Sequence, residues 1–265
     1  ADVDAANADG ETALMLSART GSVDVARELI DAGANVNAQE AWRQQTALMW
    51  AAESAFPKVV DLLIAHGADV HARAAANDWG AQITSEPRAQ YRPTGGLTPL
   101  LYAARSGCTD CVSSIVKAGE SVDRPTPDGV TALMLAIDNY EFDTAKALLA
   151  LGANPHLSDW WGRTALYLAV DMNTYVPREG PTHPRSKSTT GMDLVHALLA
   201  AGVEVNSQLN FRRPGRGGNS ARFVDDLLTT GATPLLRAAI MHDEDAMRAL
   251  LAAGARVDLP NVMGV

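Results

Sequence analysis

The sequence predicts an all-α solenoid of stacked helix-turn-helix units, and three observations carry that prediction. A threonine followed by Ala-Leu or Pro-Leu returns at Thr12, Thr46, Thr98, Thr131, Thr164 and Thr233. A Leu-Leu or Leu-Ile pair ahead of Gly-Ala or Gly-Val closes most copies, at Gly33, Gly67, Gly152, Gly202 and Gly254. Thr98, Thr131 and Thr164 fall 33 residues apart, and Thr12 and Thr46 fall 34 apart. A period of that length marks a repeat array in which each unit buries its apolar face only against its neighbours.

The copy from Asp128 to Asn154 shows what one unit is. A first helix starts at Thr131, whose hydroxyl can cap the exposed amides of the opening turn. A second runs from Phe142 to Leu151, with Ala145, Leu148 and Leu149 at helical spacing. Gly152 then stops it in the left-handed conformation that glycine adopts at least cost. The ten residues that follow are extended and turning, and lead to the next threonine. The third copy is looser and ends Ala118-Gly119-Glu120.

These residues resemble the ankyrin repeat family. The turn Asp-Gly stands at Asp9-Gly10 and Asp128-Gly129, the Ala pair at Ala103-Ala104, and the closing motif at Gly33-Ala34-Asn35-Val36-Asn37. The resemblance implies an ankyrin-repeat solenoid with finger turns along one edge, and a protein partner held by the fingers and the concave face. One departure is systematic. The family's histidine after Thr-Pro-Leu is replaced by Met15, Met49, Leu101, Met134, Tyr167 and Leu236. Apolar packing is expected where the family has an inter-repeat hydrogen bond.

The whole chain, residues 1–265, reads as one array. Its ends align inside the pattern, which reads as an internal segment of a longer protein. Three stretches exceed the period. Residues 74–95 and 207–230 enlarge turns between repeats, and 174–190 lies between the two helices of one repeat. The chain carries 22 Lys and Arg against 31 Asp and Glu, for −9. The three insertions hold nine of the basic and five of the acidic residues, so the repeats keep 13 basic against 26 acidic. Such a framework repels phosphate backbones, which argues against nucleic acid as the partner. No apolar run of about 18 residues occurs, so no membrane span is expected. Arg in excess of Lys and abundant Ala point to a bacterial source. The compartment, cytoplasmic or exported, is not legible.

Chemistry-bearing residues are sparse. Cys108 and Cys111 open a second helix, in register with Ser22 and with Val25 of the first copy, the latter expected to be buried. They read either as small core residues or as a local disulfide. The surrounding pattern lacks the βαβ unit of a redox dithiol. Six scattered histidines lack the spacing of a metal site, and no nucleophile elbow, phosphate loop or dinucleotide fingerprint is present. The chain therefore reads as non-catalytic, with neither cofactor nor metal.

Candidate contact residues come from two places. Trp42, Trp160 and Trp161 lie in short turns between repeats, where aromatic rings anchor interfaces. Tyr91 and Phe211, with the basic Arg212 and Arg213, lie in the enlarged turns, where Trp79 and Phe223 read instead as bracing their own loops. By the resemblance, residues seven and eight after each threonine face the concavity, among them Glu53, Arg105 and Asp138. The function expected is a scaffold that binds another protein. The alternative is an ankyrin segment of a larger bacterial enzyme assembly, with the insertions contacting a catalytic neighbour.

Overall fold

The computed structural model describes residues 2–76, 95–174, 188–210, 230–262 and 264. Among them the chain forms twelve helices and no strand beyond three isolated bridges. The inner helices are α1 (Ala13–Thr20), α3 (Ala47–Glu53), α5 (Pro99–Ser106), α7 (Ala132–Asp138), α9 (Ala165–Thr174) and α11 (Pro234–Ile240). Each is followed by an outer helix: α2 (Val23–Asp31), α4 (Pro57–Ala65), α6 (Thr109–Lys117), α8 (Phe142–Ala150), α10 (Gly191–Ala200) and α12 (Glu244–Ala252). The expected all-α solenoid is what forms.

The threonines do what their position predicts. Thr12, Thr46, Thr98, Thr131, Thr164 and Thr233 each accept, on the side-chain oxygen, the amide three residues on, at 3.1–3.4 Å. Each outer helix is followed within two residues by a glycine at positive φ, from Gly33 at 92° to Gly254 at 91°. Layers then stack by kind. Each inner helix packs on the next inner helix, each outer on the next outer, and the pairs pack on themselves.

Inner helices meet through a column of small residues, since Ala51, Ala103, Ala136 and Ala169 are all fully buried. Leu14, Leu48, Leu100, Leu133 and Leu166 lie beside them, also buried. The positions where the family carries histidine are filled as expected. Met15, Met49, Leu101, Met134 and Tyr167 are buried among apolar neighbours, and Leu236 partly so. Thin Ala–Leu layers explain why so few aromatics suffice.

Side-chain acceptors tie the closing turns together. Asp4 accepts the Asn35 amide at 2.9 Å, Asn37 that of Asp69 at 2.8 Å, Asp123 that of Asn154 at 2.8 Å, and Asn206 that of Arg256 at 2.8 Å. The looser third copy is joined to the copy before it by charged side chains. Its Glu120 is buried and lies 3.0 Å from His71 Nδ1 and 3.4 Å from Arg124 Nη1.

Cys108 and Cys111 are joined as a disulfide with Cα atoms 5.2 Å apart, and both are buried. They are core residues and a local cross-link at once. Cys108 Sγ also accepts the Cys111 amide at 3.3 Å, capping α6. Their registers in the first copy differ from expectation: Val25 is 50 % exposed, because α2 has an outer neighbour on one side only, α4.

Among the described residues no helix is long and apolar enough to cross a membrane. The three insertions fall largely outside the described residues, as do Trp79, Tyr91, Phe211, Arg212, Arg213 and Phe223.

Candidate functional site

The turns between repeats form a laddered edge. The Ala41 amide donates to the Asp9 carbonyl at 2.8 Å, Ala75 to Arg43 at 2.7 Å, Trp160 to Asp128 at 2.8 Å, Asn210 to Trp161 at 2.8 Å and Val262 to Thr230 at 2.9 Å. Each of these bonds fixes one turn to the turn before it. Two of the turns are further held by a buried carboxylate that gathers backbone amides. Glu40 accepts from Trp42 at 2.7 Å, Arg43 at 2.8 Å and Gln45 at 2.9 Å. Asp159 accepts from Trp161 at 3.0 Å and Arg163 at 2.9 Å. The tryptophans two residues after these acids, Trp42 and Trp161, therefore stand on turns fixed from beneath.

Their fates differ. Trp42 is 80 % exposed, and its indole Nε1 donates to Asp9 Oδ1 at 3.3 Å across the ladder. Trp160 is 52 % exposed and meets Trp161 edge-on, with centroids 5.8 Å apart. Trp161 departs from the sequence reading. It is 5 % exposed, so its ring is core and not a presented contact. Its own carbonyl takes the Asn210 amide, which brings the next turn down beside it, and the Arg163 guanidinium covers its face at 5.2 Å.

That close approach depends on Gly162. Its φ is +79°, and a Cβ there would lie 2.7 Å from the Asn210 nitrogen and 3.0 Å from the Gln208 oxygen, both backbone. Gly162→Ala is expected to lower stability by about 1–3 kcal/mol, read by urea denaturation. Gly33→Ala, also at positive φ but with nothing within 4 Å, should cost less.

The residues expected to face the concavity are committed to inter-repeat pairs. Glu53 and Arg105 form an ion pair with each other, both part-exposed. Asp138 lies 3.5 Å from Arg163 Nη1, and Arg163 Nε donates to Asp159 at 2.6 Å. Burial would lower the Arg163 pKa, but Asp138 and Asp159 outweigh it and hold the guanidinium above its ordinary value. Farther along, the buried Asp171 and Arg237 pair directly. Charge on this face is thus largely neutralised within the stack.

Aromatic rings missed by the sequence reading lie four residues after two of the threonines. Trp50 carries Arg19 on its face at 4.8 Å, and Tyr102 carries Arg105 at 5.0 Å. Gln45 joins them, accepting from Trp50 Nε1 at 3.2 Å and donating to the Tyr102 hydroxyl at 2.7 Å. Comparing the fourth residue after every threonine would have found both rings.

Paired helices packed only on their neighbours, with a hydrogen-bonded edge of turns, define a helical repeat protein of the solenoid class. Residues 1–74 and 81–159 match the family model for ankyrin repeats, more than half of the chain, and the chain belongs to the ankyrin repeat family. It is 32 % identical over 159 residues to a protein named probable E3 ubiquitin-protein ligase XBOS33 of Oryza sativa subsp. japonica, covering 58 % of this chain and 28 % of that one. It is 27 % identical over 211 residues to human Rabankyrin-5, covering 77 % of this chain and 15 % of that one. The chain therefore spans well under a third of either relative. The crystal structure of the human ASB11 ankyrin repeat domain superposes with a TM-score of 0.67 at 19 % identity, over 96 % of this chain and 89 % of that one, which shows the shared fold. Ankyrin repeats are in general protein–protein interaction modules and generally non-catalytic.

Proposed function

We propose that this chain is a non-catalytic scaffold that holds a protein partner against its finger turns and concave face. The observation that carries this reading is Trp42, a large indole 80 % exposed on a turn fixed by Glu40 and by the ladder to Asp9. A rigid aromatic anchor of this kind buries much area on binding while losing few rotamers. Trp160 supplies a second exposed ring on the same edge. Glu53, Arg105 and Asp138 shape the concave face as fixed pairs, so they contribute contour and hydrogen-bonding groups more than free charge. Tyr91, Phe211, Arg212 and Arg213, outside the described residues, are further candidate contacts in this reading. A protein partner fits the acidic framework better than nucleic acid.

The expected result is that Trp42→Ala/Trp160→Ala lowers partner affinity at least about ten-fold, the size of an interface hot spot. Affinity capture with cross-linking mass spectrometry reads it, with unchanged thermal unfolding as the control. Cross-links on the outer helices and equal capture by both chains would overturn the reading.

A second reading follows from coverage: the matched relatives are several times longer, and one is named as a probable ubiquitin ligase. Here the chain is an ankyrin segment within a larger enzyme assembly, and its insertions touch the catalytic neighbour.

A further inference from the structure

We propose that Trp42 and Asp9 form a receptor for an arginine side chain of the partner, so that the segment docking on the first two finger turns is a basic one. The proposal rests on the interaction reading above and names the partner's chemistry at one of its contacts.

The internal precedent is the equivalent turn at Asp159. There a buried carboxylate gathers the turn, a tryptophan stands two residues later at Trp161, and Arg163, just before the helix-capping Thr164, lays its guanidinium 5.2 Å from the indole centroid. The turn at Glu40 follows a similar plan with one residue more before its threonine, and there Arg43, not the tryptophan, gives the carbonyl that the next turn binds. Glu40 gathers the amides, Trp42 stands two residues later, and the residue just before the capping Thr46 is Gln45. Gln45 is neutral and turned toward Trp50 and Tyr102. The guanidinium that covers Trp161 therefore has no counterpart over Trp42.

The same pairing recurs elsewhere, since Arg19 covers Trp50 at 4.8 Å and Arg105 covers Tyr102 at 5.0 Å. Among the described residues, Trp42 is the large ring left 80 % exposed with no cation on its face. An indole face is the strongest aromatic receptor for a cation. Two features of the site increase that preference. The Nε1–H donates to Asp9 Oδ1 at 3.3 Å, and a hydrogen bond to an anion pushes electron density into the ring. The exposed Asp9 carboxylate also stands beside the ring, where a planar guanidinium stacked on the indole can reach it with an N–H.

Charge around the site agrees. The turn that carries Asp9 also carries Glu11, both joined to Asn7, and the neighbouring turn holds the buried Glu40 against Arg43. A neutral aliphatic segment would leave the Asp9 carboxylate unmatched, and an acidic one would be repelled by it.

The test uses the intact chain, labelled with nitrogen-15, and short Gly/Ser peptides that carry Arg, Lys, Leu or Glu. The Trp42 indole N–H resonance, assigned by its loss in Trp42→Phe, is followed through each titration, beside cross-linking of the natural partner. The Arg peptide is expected to move that resonance most, the Lys peptide less, and added salt should weaken both. Asp9→Asn keeps the backbone carbonyl that supports the ladder. It should weaken Arg-peptide binding about five-fold while leaving the melting temperature unchanged. In Trp42→Ala, the shift that the Arg peptide causes at the Asp9 backbone amide should be lost.

A Leu or Glu peptide that moves the resonance as far as the Arg peptide would overturn the proposal, as would an unaltered response in Asp9→Asn. If natural-partner cross-links still map to the fingers in that case, the scaffold reading stands and only the basic chemistry falls. If Trp42→Ala/Trp160→Ala also leaves partner capture unchanged, both fall.

Discussion

Arg237→Met is expected to destabilise the protein by about 3–5 kcal/mol, because it leaves a buried carboxylate without its guanidinium. Arg237 and Asp171 pair between α11 and α9 with side chains only 2 % and 1 % exposed. A charge so deeply removed from water has little solvent to fall back on when its partner goes. Adding Asp171→Leu should restore most of the loss, since two apolar side chains of similar volume can replace a buried pair. The order of the two effects is the informative part. Urea denaturation of the two variants measures it, and hydrogen exchange should place the weakening first in α9, α11 and α12. Equal instability of single and double variants would mean that the site fails through packing and not through an orphaned charge.

Met134→Ala is expected to cost about 2–5 kcal/mol, and Met134→Leu less than about 1.5 kcal/mol. Met134 is buried on α7, which packs against both α5 and α9. Truncation opens a cavity that the flanking repeats can close only by shifting their own contacts. A leucine conserves the volume. Differential scanning calorimetry on the two variants checks the contrast, and a small effect for Met134→Ala would show that the layers relax more easily than their packing suggests.

The helices were legible because their signals are local. Thr131 caps its own helix, Ala145 and Leu148 repeat within one turn of each other, and Gly152 ends the helix it follows. The replacement of the family's histidine by Met15, Met49 and Met134 was legible for the same reason, and burial of those side chains follows from it. Trp161 was not legible. Its burial depends on Asn210, which lies in the next turn beyond an entire repeat and an insertion, and on Arg163, whose reach over the ring is a matter of rotamer. The paired state of Glu53, Arg105 and Asp138 was hidden in the same way. A sequence column shows which residues share a face, but which acid finds which base depends on the rotation between repeats. Trp50 and Tyr102 were readable, since each stands four residues after a capping threonine, but the cations on their faces come from neighbouring positions that only the packing defines.

Because every inner helix packs on its own outer helix and on the inner helices before and after it, the length of any one connection is decoupled from the rest of the molecule. The chain between α4 and α5, and between α10 and α11, is far longer than that between α6 and α7, yet α3 packs on α5 and α9 on α11 as α5 packs on α7. Lineages of such a protein can therefore lengthen, shorten or exchange the connecting segments one at a time, altering what the edge displays while the stack keeps its register.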